Sequence, residues 1–212
     1  MGSRLADIGS DHAYLPIYLC QRDLILSAIA TDVNAGPVKN AEENIALHGL
    51  ENKISARIGD GMEELDPLEY DTVSVCGMGG ELIFRIINNE KVKRFRPKLI
   101  LQPMSSIQDL SYLMAEHGFR IYDDLWIKDA GHIYRIMCVE YSGDPYTVTS
   151  LEAHVGAINL QRRDQVTLLY VERLKEQMEY KIKAKTQGAS CDVSQDVALL
   201  EMINDYLSGG IR

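Results

Sequence analysis

The 212-residue chain has little of what builds secreted scaffolds or metal centres. Its four cysteines, Cys20, Cys76, Cys138 and Cys191, lie far apart with no C-x-x-C pair, and its five histidines form no ligand-like cluster. A disulfide framework and a zinc site are therefore not indicated, and buried free thiols are expected. No stretch approaches the ~18 consecutive apolar residues of a membrane span. Met1-Gly2-Ser3-Arg4 leads straight into an apolar strand, so no signal peptide is expected and a cytoplasmic location is. There is no internal repeat. Positive charge is also short: the net charge of −9 counts against non-specific binding of polyanions. What remains is an ordinary globular composition, long enough for one large or two unequal domains with a real core.

Also lacking is the glycine triplet of a dinucleotide site. Leu5-Ala6-Asp7-Ile8 reads as an apolar strand running into the turn Gly9-Ser10-Asp11-His12. A strand, a glycine turn and a helix make the nucleotide-binding corner of a doubly wound sheet. In G-x-G-x-x-G the glycines let a pyrophosphate sit on a helix N-terminus. Here Asp11 stands for the second glycine and Tyr14 for the third. Carboxylates repel a pyrophosphate but suit a positively charged cofactor without phosphate, such as S-adenosylmethionine. Asp32 ends the next apolar run 23 residues after Gly9, near the offset at which an acid binds a ribose. A ribose is common to both cofactors, so Asp32 supports an adenosine ligand without choosing between them.

Apolar runs and helical stretches then alternate. Strands are expected at 4–8, 28–32, 54–58, 72–76, 98–102, 119–127 and 133–140, and helices at 13–22, 35–48, 80–89 and 106–117. The last two strands are joined by Asp129-Ala130-Gly131-His132 and should form an antiparallel hairpin. The expected fold is α/β: a doubly wound, Rossmann-like, seven-stranded class I methyltransferase sheet with a C-terminal helical hairpin domain. Residues 1–146 are expected to form the catalytic, cofactor-binding domain and 150–212 a helical one. In the latter, Leu168, Val171, Leu174, Met178 and Ile182 form one apolar stripe and Val197, Leu200, Ile203 and Leu207 another, separated by polar Thr186 to Gln195.

The turns after strands three to five carry Asp60-Gly61, Gly77-Met78-Gly79-Gly80 and Gln102-Pro103, at the strand ends where ligands bind in such sheets. Together, ADIGSDHAYLP, GPVKNAEENI, RIGDGMEEL, GMGGELI and LILQP closely resemble the bacterial tRNA adenine-22 N1-methyltransferase family. The resemblance covers nearly the whole catalytic domain, and it implies a helical, coiled-coil-like domain at the C-terminal end. It implies S-adenosylmethionine as cofactor and a tRNA adenine in the D-arm as substrate. It carries Asp7, Gly9, Ser10, Asp11 and His12 over to the first cofactor loop, Asp32 to the ribose, Asp60 and Gly61 to the adenine, and Gly77 and Met78 to the methyl-donor side. Family members usually carry a short helical segment before the first strand and an asparagine after LILQP. This sequence starts almost on that strand and has Met104.

Adenine N1 offers a lone pair, so methyl transfer needs no strong base, and positioning should supply most of the rate. The base must be flipped out of the folded RNA. Asp11 is expected to accept from the adenine amine and favour the cationic product, and Gln102 to read the ring edge. His12 is divided between a substrate role and a backbone-satisfied helix start, and Tyr14 reads as a core aromatic. The catalytic part holds 14 basic and 22 acidic residues, so RNA phosphates are expected on two basic stretches. One is a loop on the cleft side with Lys91, Lys93 and Arg94; the other carries Arg162, Arg163, Lys181 and Lys183. Two rivals stay open: a catalytically silent RNA-binding or interaction module, and a small-molecule or protein methyltransferase.

Overall fold

The computed structural model describes residues 2–187 and 192–209. Cys191 and part of the polar segment before the last helix lie outside these. The first half runs β1 (Ser3–Ile8), α1 (Tyr14–Gln21), β2 (Ile25–Asp32), α2 (Ala35–Leu47), β3 (Ile54–Ile58), β4 (Thr72–Gly79) and α3 (Gly80–Ile87). It continues with α4 (Glu90–Phe95), β5 (Lys98–Ser105), α5 (Ile107–Glu116), β6 (Phe119–Asp129) and β7 (His132–Tyr141). The seven strands form one sheet in the order β3-β2-β1-β4-β5-β7-β6. Strands β1 to β5 pair in parallel, while β7 is antiparallel to both β5 and β6. The order reverses between β1 and β4, and ligands of open α/β sheets bind outside the strand ends at such a point.

Side-chain alternation explains the layers. Leu5, Ala28 and Ala30 join Ile17, Cys20, Ala41 and Ile45 of α1 and α2 in one core. Their neighbours Ala6, Ile8 and Ile29 point the other way, into a core with Ile83, Ile87, Leu110 and Met114 of α3 and α5. Period two on strands buried on both faces is the mark of a doubly wound sheet. Each fully buried Leu or Ile contributes about 1.5–3 kcal/mol relative to exposure.

After β7 come α6 (Ser150–Val155), α7 (Ala157–Arg162), α8 (Gln165–Gln187) and α9 (Ser194–Leu207). The expected hairpin is present as α8 and α9, preceded by two short helices. Helix α6 opens with a capping box, in which Thr149 and Glu152 satisfy each other's backbone N–H. A third core gathers Leu151, Val155, Val171, Leu174, Met178, Leu199, Ile203 and Tyr206. The inward stripe of α9 is Asp196, Leu199, Ile203 and Tyr206; it keeps Ile203 of the expected stripe and takes the preceding residue at the other three positions, with Leu200 and Leu207 only partly buried against the core. Asp196 on this stripe is met by Lys181 and Lys185 of α8, at 2.8 and 2.5 Å from its carboxylate.

The helices are joined to the sheet edge by a buried ion pair. Arg135 of β7 and Asp124 of β6 are 0% and 1% exposed, with Nη2 and Nε donating to the two carboxylate oxygens at 2.7 and 3.0 Å. Arg135 Nη1 also donates to Ser111 Oγ of α5 and to the Ala153 carbonyl of α6. Trp126 donates to the Val155 carbonyl at 2.9 Å and stacks on Tyr170 of α8. Gly156, at φ 95°, lets the backbone pass: a Cβ there would lie 1.9 Å from Asp124 Oδ2.

Candidate active site

The turn after β1 is tied to β2. The Gly9 and Ser10 N–H groups both donate to the Thr31 carbonyl, at 2.7 and 2.9 Å. Gly9 adopts φ 75°, a conformation that favours glycine, and the Met78 side chain of the β4 turn reaches into the space a Cβ would take, with its Cε 2.0 Å from that place. Asp7 is buried beneath this turn and accepts from Ser74 Oγ at 2.5 Å. Burial pushes its carboxyl above the usual carboxylate range, against the opposing pull of the Ser10 and Ser74 hydrogen bonds. Asp7 thus braces β1 against β4 from below.

Asp11 and His12 stand at the rim, with His12 Nε2 3.3 Å from Asp11 Oδ2. The Asn44 side chain of α2 donates to the His12 carbonyl at 3.1 Å. Tyr14 is not a core residue: it is 66% exposed and stacks on the His12 ring, with centroids 5.0 Å apart. The aliphatic stripe Ala13, Ile17 and Cys20 takes the inward face of α1 and turns the tyrosines out. Ala13 sits in the left-handed region at φ 54°, a conformation that costs a non-glycine residue about 1–3 kcal/mol and clusters at functional sites.

At the end of β2, Asp32 accepts from the Asn34 N–H and side-chain amide, both through Oδ1. Its carbonyl accepts from the Gly59 N–H at 3.0 Å, which draws the β3 turn, with exposed Asp60 and buried Gly61, up beside it. At the end of β4, Gly77 has φ 77° and donates its N–H to Gln102 Oε1 at 3.0 Å. The Gln102 amide donates in turn to the Pro103 carbonyl and, at 3.3 Å, to the sulfur of exposed Met104. Gln102 therefore holds the β4 turn and the β5 lip together through its own amide. A Cβ on Gly80 would lie 2.4 Å from the Ser106 carbonyl, so the two turns touch. Burial pushes the Cys76 thiol up to about 12, which removes it as a nucleophile at neutral pH.

The turns after β1 to β5 thus share one sheet edge, where Gly77, with nothing within 4 Å of the place a Cβ would take, leaves room for close approach and Asp11, Asp32 and Asp60 supply acceptors. This donor set fits a phosphate-free adenosine ligand with positive charge and disfavours a pyrophosphate. The sequence pointed to the turns but not to Thr31, Ser74 and Asn44, whose roles arise only when distant segments meet. Among the described residues, no group of three or more His, Cys, Asp or Glu is placed to hold a metal ion. No helix among them is long and apolar enough to cross a membrane.

The cations expected on RNA are mostly engaged. The Lys91 to Lys98 stretch is largely helix α4, capped by Asn89, where a loop is expected. It feeds into Lys98, which pairs with Thr72 at the start of β4, the sheet edge opposite the turns, because a parallel crossover must return there. Lys91 Nζ donates to the carbonyls of Met62, Glu63 and Leu65, Lys93 pairs with Glu90 at 3.3 Å, and exposed Arg94 lies over Phe95. Arg162 donates to the Asp124 carbonyl and Asp123, and Arg163 to the Tyr206 carbonyl, while Lys181 pairs with Asp196. Lys183 is exposed on α8.

Comparison with known proteins places this edge in context. A Bacillus subtilis tRNA (adenine(22)-N(1))-methyltransferase is 35% identical over 144 residues, 68% of this chain and 60% of that protein's length. The solved structure of Streptococcus pneumoniae Sp1610 in complex with S-adenosyl-L-methionine is 30% identical, with a TM-score of 0.84 over 98% of this chain and 93% of that one. Mycoplasma capricolum TrmK, solved with S-adenosyl-homocysteine, is 26% identical with a TM-score of 0.79, over 100% and 93%. The family profile described as tRNA (adenine(22)-N(1))-methyltransferase matches residues 5–204, from within β1 to within α9. With nearly all of its class I methyltransferase sheet, its acid-lined glycine turns and most of its helical C-terminal part inside that match, the chain belongs to the tRNA (adenine(22)-N(1))-methyltransferase family.

Proposed function

We propose that this chain transfers a methyl group from S-adenosylmethionine to N1 of adenine 22 in tRNA. The observation that carries the reading is the glycine floor Gly77-Met78-Gly79-Gly80 between the acid-bearing turn of β1 and the lip of β5. The bound cofactor would supply the methyl group on a sulfonium, with Asp32 on its ribose, Asp60 and Gly61 beside its adenine, and Gly9, Ser10 and Met78 around the donor end. The floor offers no side chain to hold an exocyclic amine as nucleophile, which favours attack by N1. That nitrogen uses its lone pair and the product keeps the positive charge, so no proton need leave. Asp11 accepts from the adenine amine and stabilises the cation across the rim. Gln102 acts as a positioning residue, because its amide is committed to Gly77 and Met104. RNA phosphates are assigned to exposed cations of the helical part, Lys183 first, and the protein needs no membrane.

Incubation with unmodified tRNA and S-adenosylmethionine, followed by nucleoside mass mapping, tests this. The expected product is 1-methyladenosine at position 22. N6-methyladenosine, or turnover of a small molecule without RNA, would overturn it.

A further inference from the structure

An acidic protein whose candidate cations are mostly tied up internally needs another way to hold a polyanion. The exposed face of α1 supplies one. Tyr14, Tyr18 and Arg22 recur four residues apart, so they lie in a row down one side of the helix. Tyr18 is 51% exposed and the Arg22 guanidinium lies 4.4 Å from the centre of its ring. Neither ring joins a core, since Ala13, Ile17 and Cys20 fill the buried face. The row starts at the rim, where Tyr14 stacks on His12, and His12 is held by Asn44 and lies beside Asp11. It is therefore continuous with the site assigned above to the target base.

From this row we infer that α1 is a base-stacking surface for unpaired nucleotides of the tRNA next to the flipped adenine. The chemistry matches: aromatic faces and a guanidinium plane accept any base, and stacking needs no net positive charge. The dimensions match too. Four helical residues rise about 6 Å, close to the ~7 Å that separates alternate stacked bases, so Tyr14, Tyr18 and Arg22 match every second base of a stacked run of about five nucleotides. The strand would leave the rim at Tyr14 and descend over Tyr18, with Arg22 closing the row by stacking and by a phosphate contact. This inference rests on the tRNA reading and adds the path by which the RNA enters.

The test is tRNA affinity by filter binding across a salt series, with cofactor affinity by calorimetry and methyl transfer measured alongside. Tyr18→Ala should weaken tRNA binding about 5- to 150-fold, with cofactor affinity unchanged and the slope of log K against log salt also unchanged, because no counterion is released by a stacked base. Tyr18→Phe should restore binding, since the ring is what stacks. Arg22→Ala should weaken binding and flatten the slope by about 0.7. The KM for tRNA should rise in both variants while kcat at saturating tRNA stays near wild type, a split that loss of folding would not give. Wild-type tRNA affinity in Tyr18→Ala and Arg22→Ala overturns the stacking surface while leaving the methyltransferase reading standing. Wild-type protein that binds tRNA without making 1-methyladenosine instead overturns the underlying reading.

Discussion

The centre of the sheet and its β6–β7 edge solve opposite problems with the same residue types. At the centre, Asp11, Asp32 and Asp60 line the ends of parallel strands, and the local backbone is held by carbonyls and amides such as Thr31 and Gln102. At the edge, Asp124 is sealed from water and every oxygen of its carboxylate meets Arg135. Glycine serves both, at Gly9 to bring a turn against Met78 and at Gly156 to bring a helix junction against Asp124. The difference teaches that the acids at the candidate site are left open and their surroundings braced, whereas an acid that joins two parts of the chain is closed and fully bonded. A buried ion pair adds little net stability over apolar packing of the same volume. Its directional bonds to α5 and α6 fix how the helical part sits on the sheet.

The largest effect should come from breaking the closed acid. Arg135→Met leaves Asp124 buried without its partner, at a cost of about 3–5 kcal/mol. Urea unfolding should show it as a lower midpoint with an unchanged slope. Arg135→Met combined with Asp124→Leu should recover most of that loss, because neither charge then remains. Equal losses in the single and double variants would mean that the pair's cost lies in packing, and the contrast with the open acids would collapse.

An open acid should behave in the reverse way. Asp32→Ala removes the proposed ribose acceptor and should weaken S-adenosylmethionine by about 1.5–3 kcal/mol, read by calorimetry, with little change in the unfolding midpoint. A large fall in stability without loss of cofactor affinity would show that Asp32 serves only its Asn34 turn.

The same contrast explains what was legible in the sequence. Open features are local: the turn Gly9 to His12, the Gly77 to Gly80 floor and the strand alternation that buries Leu5 on one face and Ala6 on the other all follow from neighbouring residues. Closed features are not. Arg162 reads as a surface cation until Asp123, 39 residues earlier in the chain, is placed beside it. Lys91 reads as a phosphate contact until three carbonyls from the β3–β4 connection close around it. Tyr14 is the instructive error on the open side, because residue type suggested the core, whereas the competing aliphatic stripe of α1 decided the face. Helix α4 was foreshadowed by Asn89 and Glu90, a cap and a first-turn acid, but its six residues are too few for a periodic pattern.

The smallest expected effect lies where the two kinds of acid meet. Asp7 sits at the ligand edge yet is buried like Asp124, and it has serines rather than an arginine for partners. Its carboxyl is pushed up by burial, so the folded state holds the proton more tightly than the unfolded chain does. The sign follows from linkage: an acid raised on folding lowers stability as pH climbs from the unfolded value through the folded one, and the loss is complete above the latter. Asp7→Asn removes that titration while an amide can still accept from Ser74. The variant should therefore be slightly more stable than wild type at neutral pH, and the advantage should shrink as the pH falls toward the ordinary aspartate range. Thermal unfolding across a pH series measures the difference between the two curves. A variant that loses stability at neutral pH and matches wild type in acid would mean that Asp7 is held ionised by the Ser10 and Ser74 bonds, and that burial does not dominate at the ligand edge.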